Sequence, residues 1–141
     1  MTKMDGKDPA DPSLLAHWHT EQIRFCDTDM AGHVNNVAYA AFAEAGRVSF
    51  LDHVQPGLSA GVVVATVTVN YRKETFFPGE IRIGTRVERV GDTSISLIQG
   101  IFHDDICVAD TRATVVHVGE NGSRPIEEDL RQALVTARPL R

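Results

Sequence analysis

Residues 35–54 read NNVAYAAFAEAGRVSFLDHV, and alanines together with Tyr39, Phe42, Val48, Phe50 and Leu51 crowd nearly every side of the helix they would form. Asn35 and Asn36 supply N-cap chemistry at its start. From Val37 to about His53 the helix would be roughly 25 Å long at a rise of 1.5 Å per residue. A helix apolar almost all round belongs inside a core. The rest of the chain must therefore supply a sheet to wrap around it.

The flanking sequence has that character. Gly61 to Tyr71 is β-branched, and Glu80 to Val90 alternates, with Ile81, Ile83 and Val87 on one side and Arg82, Arg86 and Glu88 on the other. Thr93 to His103 and Ile106 to Val118 repeat the pattern, joined at Asp104-Asp105, while Gly91-Asp92 marks another tight turn. Upstream, His17 to Phe25 reads as a first strand and Asp27 to Gly32 as a loop. Pro125 to Val135 reads as a short final helix. The expectation is an α+β plan, a five-stranded antiparallel sheet against one long helix. Such a sheet has an edge that invites pairing with another chain, so a two-fold homodimer is expected, with a homotetramer left open.

A length of 141 residues suits one domain, placed at 17–141, behind a flexible tail over 1–16 that is rich in Asp, Pro and Lys. That tail has no apolar stretch able to act as a signal peptide or span, and a cytoplasmic location is expected by default. The net charge of −5 argues against nucleic-acid or anionic-membrane partners, which require a concentrated Lys/Arg surface. Cys26 and Cys107 form neither a disulfide framework nor a zinc motif and are expected to be reduced and buried. No metal or cofactor is expected.

The densest polar cluster is RFCDTDMAGHVNN, residues 24–36, in the loop that feeds the helix. Unpaired N–H groups and a partial positive charge at a helix start suit a developing oxyanion. A carboxylate just upstream, Asp29, would complete a site for acyl transfer, as base or nucleophile. The same residue type also closes Asx-turns in glycine-containing loops, and the residues alone leave both roles open. His33 fits either a hydrogen bond to the reacting water or acyl group or one to the backbone. Glu44, eight residues beyond Asn36, falls near the same helical face. It is equally placed, three residues from Arg47, for a helical ion pair.

The stretch Arg24 to Arg47, with its D-x-D element, glycine-containing loop and helix bearing Tyr39, Phe42 and Glu-x-x-Arg, resembles the 4-hydroxybenzoyl-CoA thioesterase-like family of hotdog proteins. The resemblance, extending over roughly 17–118, implies a hotdog fold and hydrolysis of an acyl-CoA thioester. It implies Asp29 as the catalytic carboxylate and the Asn36 amide at the thioester carbonyl. Asn35 and Tyr39 then fall at the substrate site beside His33 and Glu44. The GHVNN element, Gly32 to Asn36, also resembles long-chain acyl thioesterases of this fold, including those that act on acyl carrier protein. A coenzyme A substrate needs cations for its phosphates, and Arg72 and Lys73, after the strand that follows the helix, are the local candidates. A non-catalytic hotdog module that binds acyl-CoA or another apolar ligand is the alternative of a different class.

Other signals are weaker. Gly57-Leu-Ser-Ala-Gly61 matches a nucleophile elbow formally, but a helix and Pro56 precede it and a strand follows, the reverse of what an elbow requires. His17 and His19 share a strand face without a third metal ligand nearby and are expected to face solvent. Cys26 lacks an activating partner and is assigned to the core.

Overall fold

The computed structural model describes residues 8–137. Helix α1 covers Asn36–Val54 and starts where Asn35 Oδ1 accepts the Ala38 N–H at 2.8 Å. The strands are β1 (His17–Gln22), β2 (Val62–Tyr71), β3 (Glu80–Val90), β4 (Ser94–His103), β5 (Ile106–Gly119) and the short β6 (Gly122–Ser123). They pair antiparallel in the order β1-β3-β4-β5-β2, with β6 on the end of β5. A second helix, α2 (Glu128–Thr136), closes the far end through buried Leu130 and Leu134.

The sheet curls about α1 as expected. Tyr39, Phe42 and Ala43 pack on Ile81, Ile83 and Ile101 in one apolar cluster, and Phe50 and Leu51 pack on Val87, Leu97 and Val115 in the other. Burial of this kind carries most of the stability of a small domain, about 1.5–3 kcal/mol per large side chain. Between the clusters lies a polar layer. Gln99 Nε2 donates to Ala43 O at 2.9 Å and Thr85 Oγ1 at 3.1 Å, while its Oε1 accepts from Thr111 Oγ1 at 2.8 Å and Arg47 Nη1 at 3.3 Å. Gly46 makes this approach possible, since a Cβ there would stand 2.5 Å from Ile83 Cγ2 and 2.9 Å from Gln99 Nε2.

Several expectations need correction. The helix is not buried all round: it lies over β1, β3 and β4, and Val37, Ala40, Ala41, Glu44 and Val48 are exposed or half-exposed along its other side. Beyond β5, β2 is exposed on both faces. The first strand stops at Gln22 because the chain turns through a 3-10 helix, Phe25–Asp27, where Asp27 accepts the Arg24 N–H. That turn places Asp27 inside and Cys26 outside, where it is exposed; Cys107, on β5, is half-buried. Residues 8–16, assigned to a tail, lie on the sheet. Leu15 is buried against Gly84 and Gly100, where the lack of Cβ atoms leaves room for it. Residues 1–7 fall outside the described part.

His17 faces inward rather than to solvent, its Nε2 2.8 Å from Ser49 Oγ and its ring stacked 4.8 Å from His53. Among the described residues there is no cluster of three or more His, Cys, Asp or Glu able to hold a metal, and no helix long and apolar enough to cross a membrane.

Candidate active site

The loop between β1 and α1 is held at both ends. Asp27, buried at its base, receives the backbone N–H of Arg24 at 2.8 Å and the Arg24 guanidinium at 3.0 Å. Burial pushes its carboxyl up, but the bonds from Arg24 outweigh that and hold it below the usual carboxylate range. The Asp27 carbonyl accepts the Asn35 N–H at 2.8 Å, and Thr28 bridges to Val34. The strand-like ends force a tight turn at the tip, where Gly32 takes φ +85° and donates its N–H to Asp29 O at 3.1 Å. Only glycine adopts that conformation without a Cβ penalty.

Asp29 sits at this tip. Its Oδ1 accepts the N–H groups of Ala31 at 2.9 Å and His33 at 3.1 Å, so one oxygen does close an Asx-type turn. Its Oδ2 faces the His33 ring, 3.8 Å from Nδ1, and the side chain is 48% exposed. The structure thus shows the turn-closing role in one oxygen, while the other makes no bond to the turn backbone. His33 has Nε2 3.5 Å from Glu74 Oε2, and its ring tilts against Phe76 at a centroid distance of 4.7 Å. Glu74 had no sequence signal, because it enters through the β2–β3 connection and only the fold brings it to His33.

The remaining candidates separate by position. Asn36 occupies the first helical position; Ala38 is capped by Asn35, so Asn36 and Val37 hold the N–H groups with no acceptor inside the helix. The Asn35 side-chain carbonyl is committed to this cap. Tyr39 is buried, its hydroxyl donating to Thr75 Oγ1 at 3.1 Å and its ring edge-on to Tyr71. It ties the helix to the β2–β3 connection. Glu44 is exposed about 12 Å along the helix from Asn36. The Glu44–Arg47 ion pair is absent among the described residues, because Arg47 turns under the helix to Gln99.

Arg72 is already engaged. Its Nε donates to Asp110 Oδ2 at 2.6 Å and its Nη2 to Asp8 Oδ1 at 3.2 Å. Thr111 faces Gln99, so by strand alternation Asp110 and its partner Arg72 lie on the sheet face away from α1. The phosphate candidate Arg72 is therefore ion-paired to two carboxylates. Lys73 is exposed, and its ammonium has no ion-pair partner among the described residues.

A cavity of about 740 Å³ opens beside Asp29, walled by Phe25, Cys26, Met30 and Phe77. Phe25 and Phe77 meet edge to face at 6.0 Å. Sequence reasoning did not identify this wall, since Phe25 read as strand and Phe77 lies 52 positions away. A half-exposed carboxylate beside an apolar hollow, with open helix-start N–H groups following in the chain, can direct water at an acyl carbon and receive the resulting oxyanion.

Residues 23–134 match the Thioesterase-like superfamily. The fold is similar to that of a thioesterase from Thermus thermophilus complexed with coenzyme A and Zn, with a TM-score of 0.83 and 23% identity over 89% of this chain and 98% of that one. A predicted thioesterase from Bacillus stearothermophilus gives 0.77 and 26%, covering 86% and 96%. A thioesterase superfamily protein from Jannaschia sp. CCS1 gives 0.77 and 27%, covering 85% and 81%. Among curated proteins, the uncharacterized protein YsmA of Bacillus subtilis is 32% identical over 78 residues; the match covers 53% of each chain, about half the length of that relative.

Proposed function

The chain belongs to the Thioesterase-like superfamily, and we propose that it hydrolyses an acyl-CoA thioester to a free carboxylic acid and coenzyme A, with Asp29 as the catalytic carboxylate. The observation that carries this reading is the division of labour at Asp29, where Oδ1 is fixed by two backbone N–H groups while Oδ2 stays accessible beside the cavity.

In the reaction, Asp29 takes a proton from water as the water oxygen bonds to the thioester carbon. The carbonyl oxygen becomes an oxyanion, stabilised by the Asn36 N–H; one such donor contributes ~2.7–4 kcal/mol to the barrier reduction. Collapse breaks the C–S bond, and the thiolate leaves and is protonated to the free thiol. His33, between Asp29 and Glu74, orients the carboxylate. Lys73 is the cation left for the phosphates of coenzyme A, and the coenzyme A carried by the Thermus thermophilus protein of the same fold supports that carrier. The working unit is a homodimer built on the free edge of β2, exposed on both faces.

A thiol-release assay across short, long and aromatic acyl-CoAs, run beside Asp29→Asn, tests the proposal. Asp29-dependent release is expected; release undiminished in the variant would overturn it. Turnover confined to carrier-protein thioesters would replace the carrier and keep the chemistry. Ligand-dependent stabilisation without release would favour a binding module.

A further inference from the structure

We infer that Thr75, in the connection between β2 and β3, is a positioning residue for the reaction: it holds the start of α1 in register with the loop that carries Asp29. This rests on the thioesterase reading above and adds a residue to it. Thr75 is 1% exposed and reaches the chain on both sides of Asn36. Before Asn36, its backbone oxygen accepts the Val34 N–H at 2.8 Å; after it, its Oγ1 accepts the Tyr39 hydroxyl at 3.1 Å. One buried residue thereby ties down both the entry to the helix and its first turn.

The same connection carries the loop. His33 and Phe76 pair as a short antiparallel bridge, and the Phe77 N–H donates to Gly32 O at 3.4 Å. His33 in turn gives its own N–H to Asp29 Oδ1 at 3.1 Å. The links thus run from the Asp29 carboxylate through His33 and Val34 to Thr75, and from Thr75 through Tyr39 to the helix that presents the Asn36 N–H. On the loop side the bond to Thr75 is made by backbone, which any residue at 75 would supply. On the helix side it is made by a buried pair of hydroxyls, directional and little weakened by water. The side chain of Thr75 therefore sets how far the oxyanion donor stands from the carboxylate, and a misplacement of ~1 Å can lower a rate about a hundredfold.

Three variants test this. Thr75→Val keeps the shape and the backbone bond but removes the acceptor, Thr75→Ser keeps the acceptor and loses a buried methyl, and Tyr39→Phe removes the donor at the other end. For each, kcat and KM are measured on the acyl-CoA that the wild type hydrolyses fastest, together with the melting temperature and the backbone amide signals of nitrogen-15-labelled protein. Thr75→Val and Tyr39→Phe should lower kcat about tenfold to a hundredfold with KM unchanged. Their double variant should be no slower than the slower single one, because both remove the same contact. Thr75→Ser should keep the wild-type kcat although it melts below the wild type. The amide signals of Asn36 and His33 should move in Thr75→Val and Tyr39→Phe and return toward their wild-type positions in Thr75→Ser.

Undiminished kcat in Thr75→Val and Tyr39→Phe overturns the inference while Asp29-dependent hydrolysis stands. So does a rise in KM at constant kcat, which would place Thr75 in substrate binding. Activity that follows melting temperature through all three variants, Thr75→Ser included, reduces Thr75 to a packing residue and overturns it as well. Should Thr75→Val fail to fold, Tyr39→Phe breaks the same contact from the helix side and decides the question with Thr75→Ser. If the wild type releases thiol from no thioester, the thioesterase reading falls and the amide signals decide alone: unmoved signals overturn the inference, and signals moved by the loss of either hydroxyl and restored by serine uphold Thr75 as the residue that sets the helix start against the loop.

Discussion

Arg72 and Asp110 form a tight ion pair across neighbouring strands, with Nε donating to Oδ2 at 2.6 Å. Asp110 also accepts from Asn70 Nδ2 at 3.0 Å, and Arg72 reaches back to Asp8 at 3.2 Å. The hydrogen bond to Asp110 is the main reason the Arg72 guanidinium holds its proton more tightly than usual. An arginine satisfied in this way fastens the N-terminal segment to the sheet.

Arg72→Ala should therefore reduce stability by about 2 kcal/mol. That is less than the ~3–5 kcal/mol for breaking a fully buried pair, because Arg72 is 38% exposed and partly screened. Lys73→Ala should leave stability unchanged and raise KM for acyl-CoA, more so at low salt. Urea denaturation and KM for both variants check this, and the reverse pattern would assign the phosphate to Arg72.

Asp29→Asn should retain the turn, since an amide oxygen can still accept from Ala31 and His33, and melting should shift little. The initial rate should fall by ~10²–10⁴, the range typical of a lost general base. Single turnover of the wild type in oxygen-18 water then separates the two chemistries: label in the Asp29 carboxylate indicates attack by Asp29 itself, and label only in the product indicates attack by water.

Gln99→Leu should be among the most damaging core substitutions. It leaves the guanidinium of Arg47, buried beneath α1, without its acceptor, together with Thr111 and Ala43 groups that lose their partners. The expected loss is about 3 kcal/mol. Adding Arg47→Met should recover part of it, because two apolar side chains leave no buried charge to satisfy. Denaturant midpoints of the single and double variants measure the coupling.

Stability should fall in two stages as pH drops. Burial, then the charges of His53 and His19, hold the His17 imidazole below its ordinary value of 6.5. The unfolded chain therefore binds that proton first, and stability declines as pH falls through about 6.5 until the folded-state value is reached. Asp27 acts lower: its carboxyl is held below 3.8 in the fold, so its contribution persists above that value and is lost as pH falls through the folded-state one. His17→Gln should flatten the upper stage and spare the lower. Melting temperatures from pH 8 to 3 decide it; parallel curves would show that His17 does not titrate with folding.

Val67→Lys, on the open strand β2, tests the dimer. Val67 is 41% exposed in the single chain, so a lysine costs the monomer little but places like charges together at a β2–β2 contact. Light scattering should give twice the chain mass for the wild type and a shift toward one chain mass in the variant.

The secondary plan and the location of the reactive loop were legible along the chain. The alternation of Ile81, Ile83 and Val87 specifies a strand, though not that Arg86 on its opposite face is buried as well; the apolar run from Val37 to Phe50 specifies a packed helix, and the D-x-D element with Gly32 marks a tight polar turn at a helix start. These are local regularities, readable because side-chain periodicity follows backbone geometry. The choice of partner was not, since it depends on contacts between distant segments. Arg72 is committed to Asp8 and Asp110, Arg47 is drawn to Gln99 rather than Glu44, Glu74 is brought to His33, and Phe77 is brought to Phe25. A side chain with several possible partners takes the one that the fold places within reach at the lowest desolvation cost. The sequence names the partners available, and the packing of the sheet against the helix chooses among them.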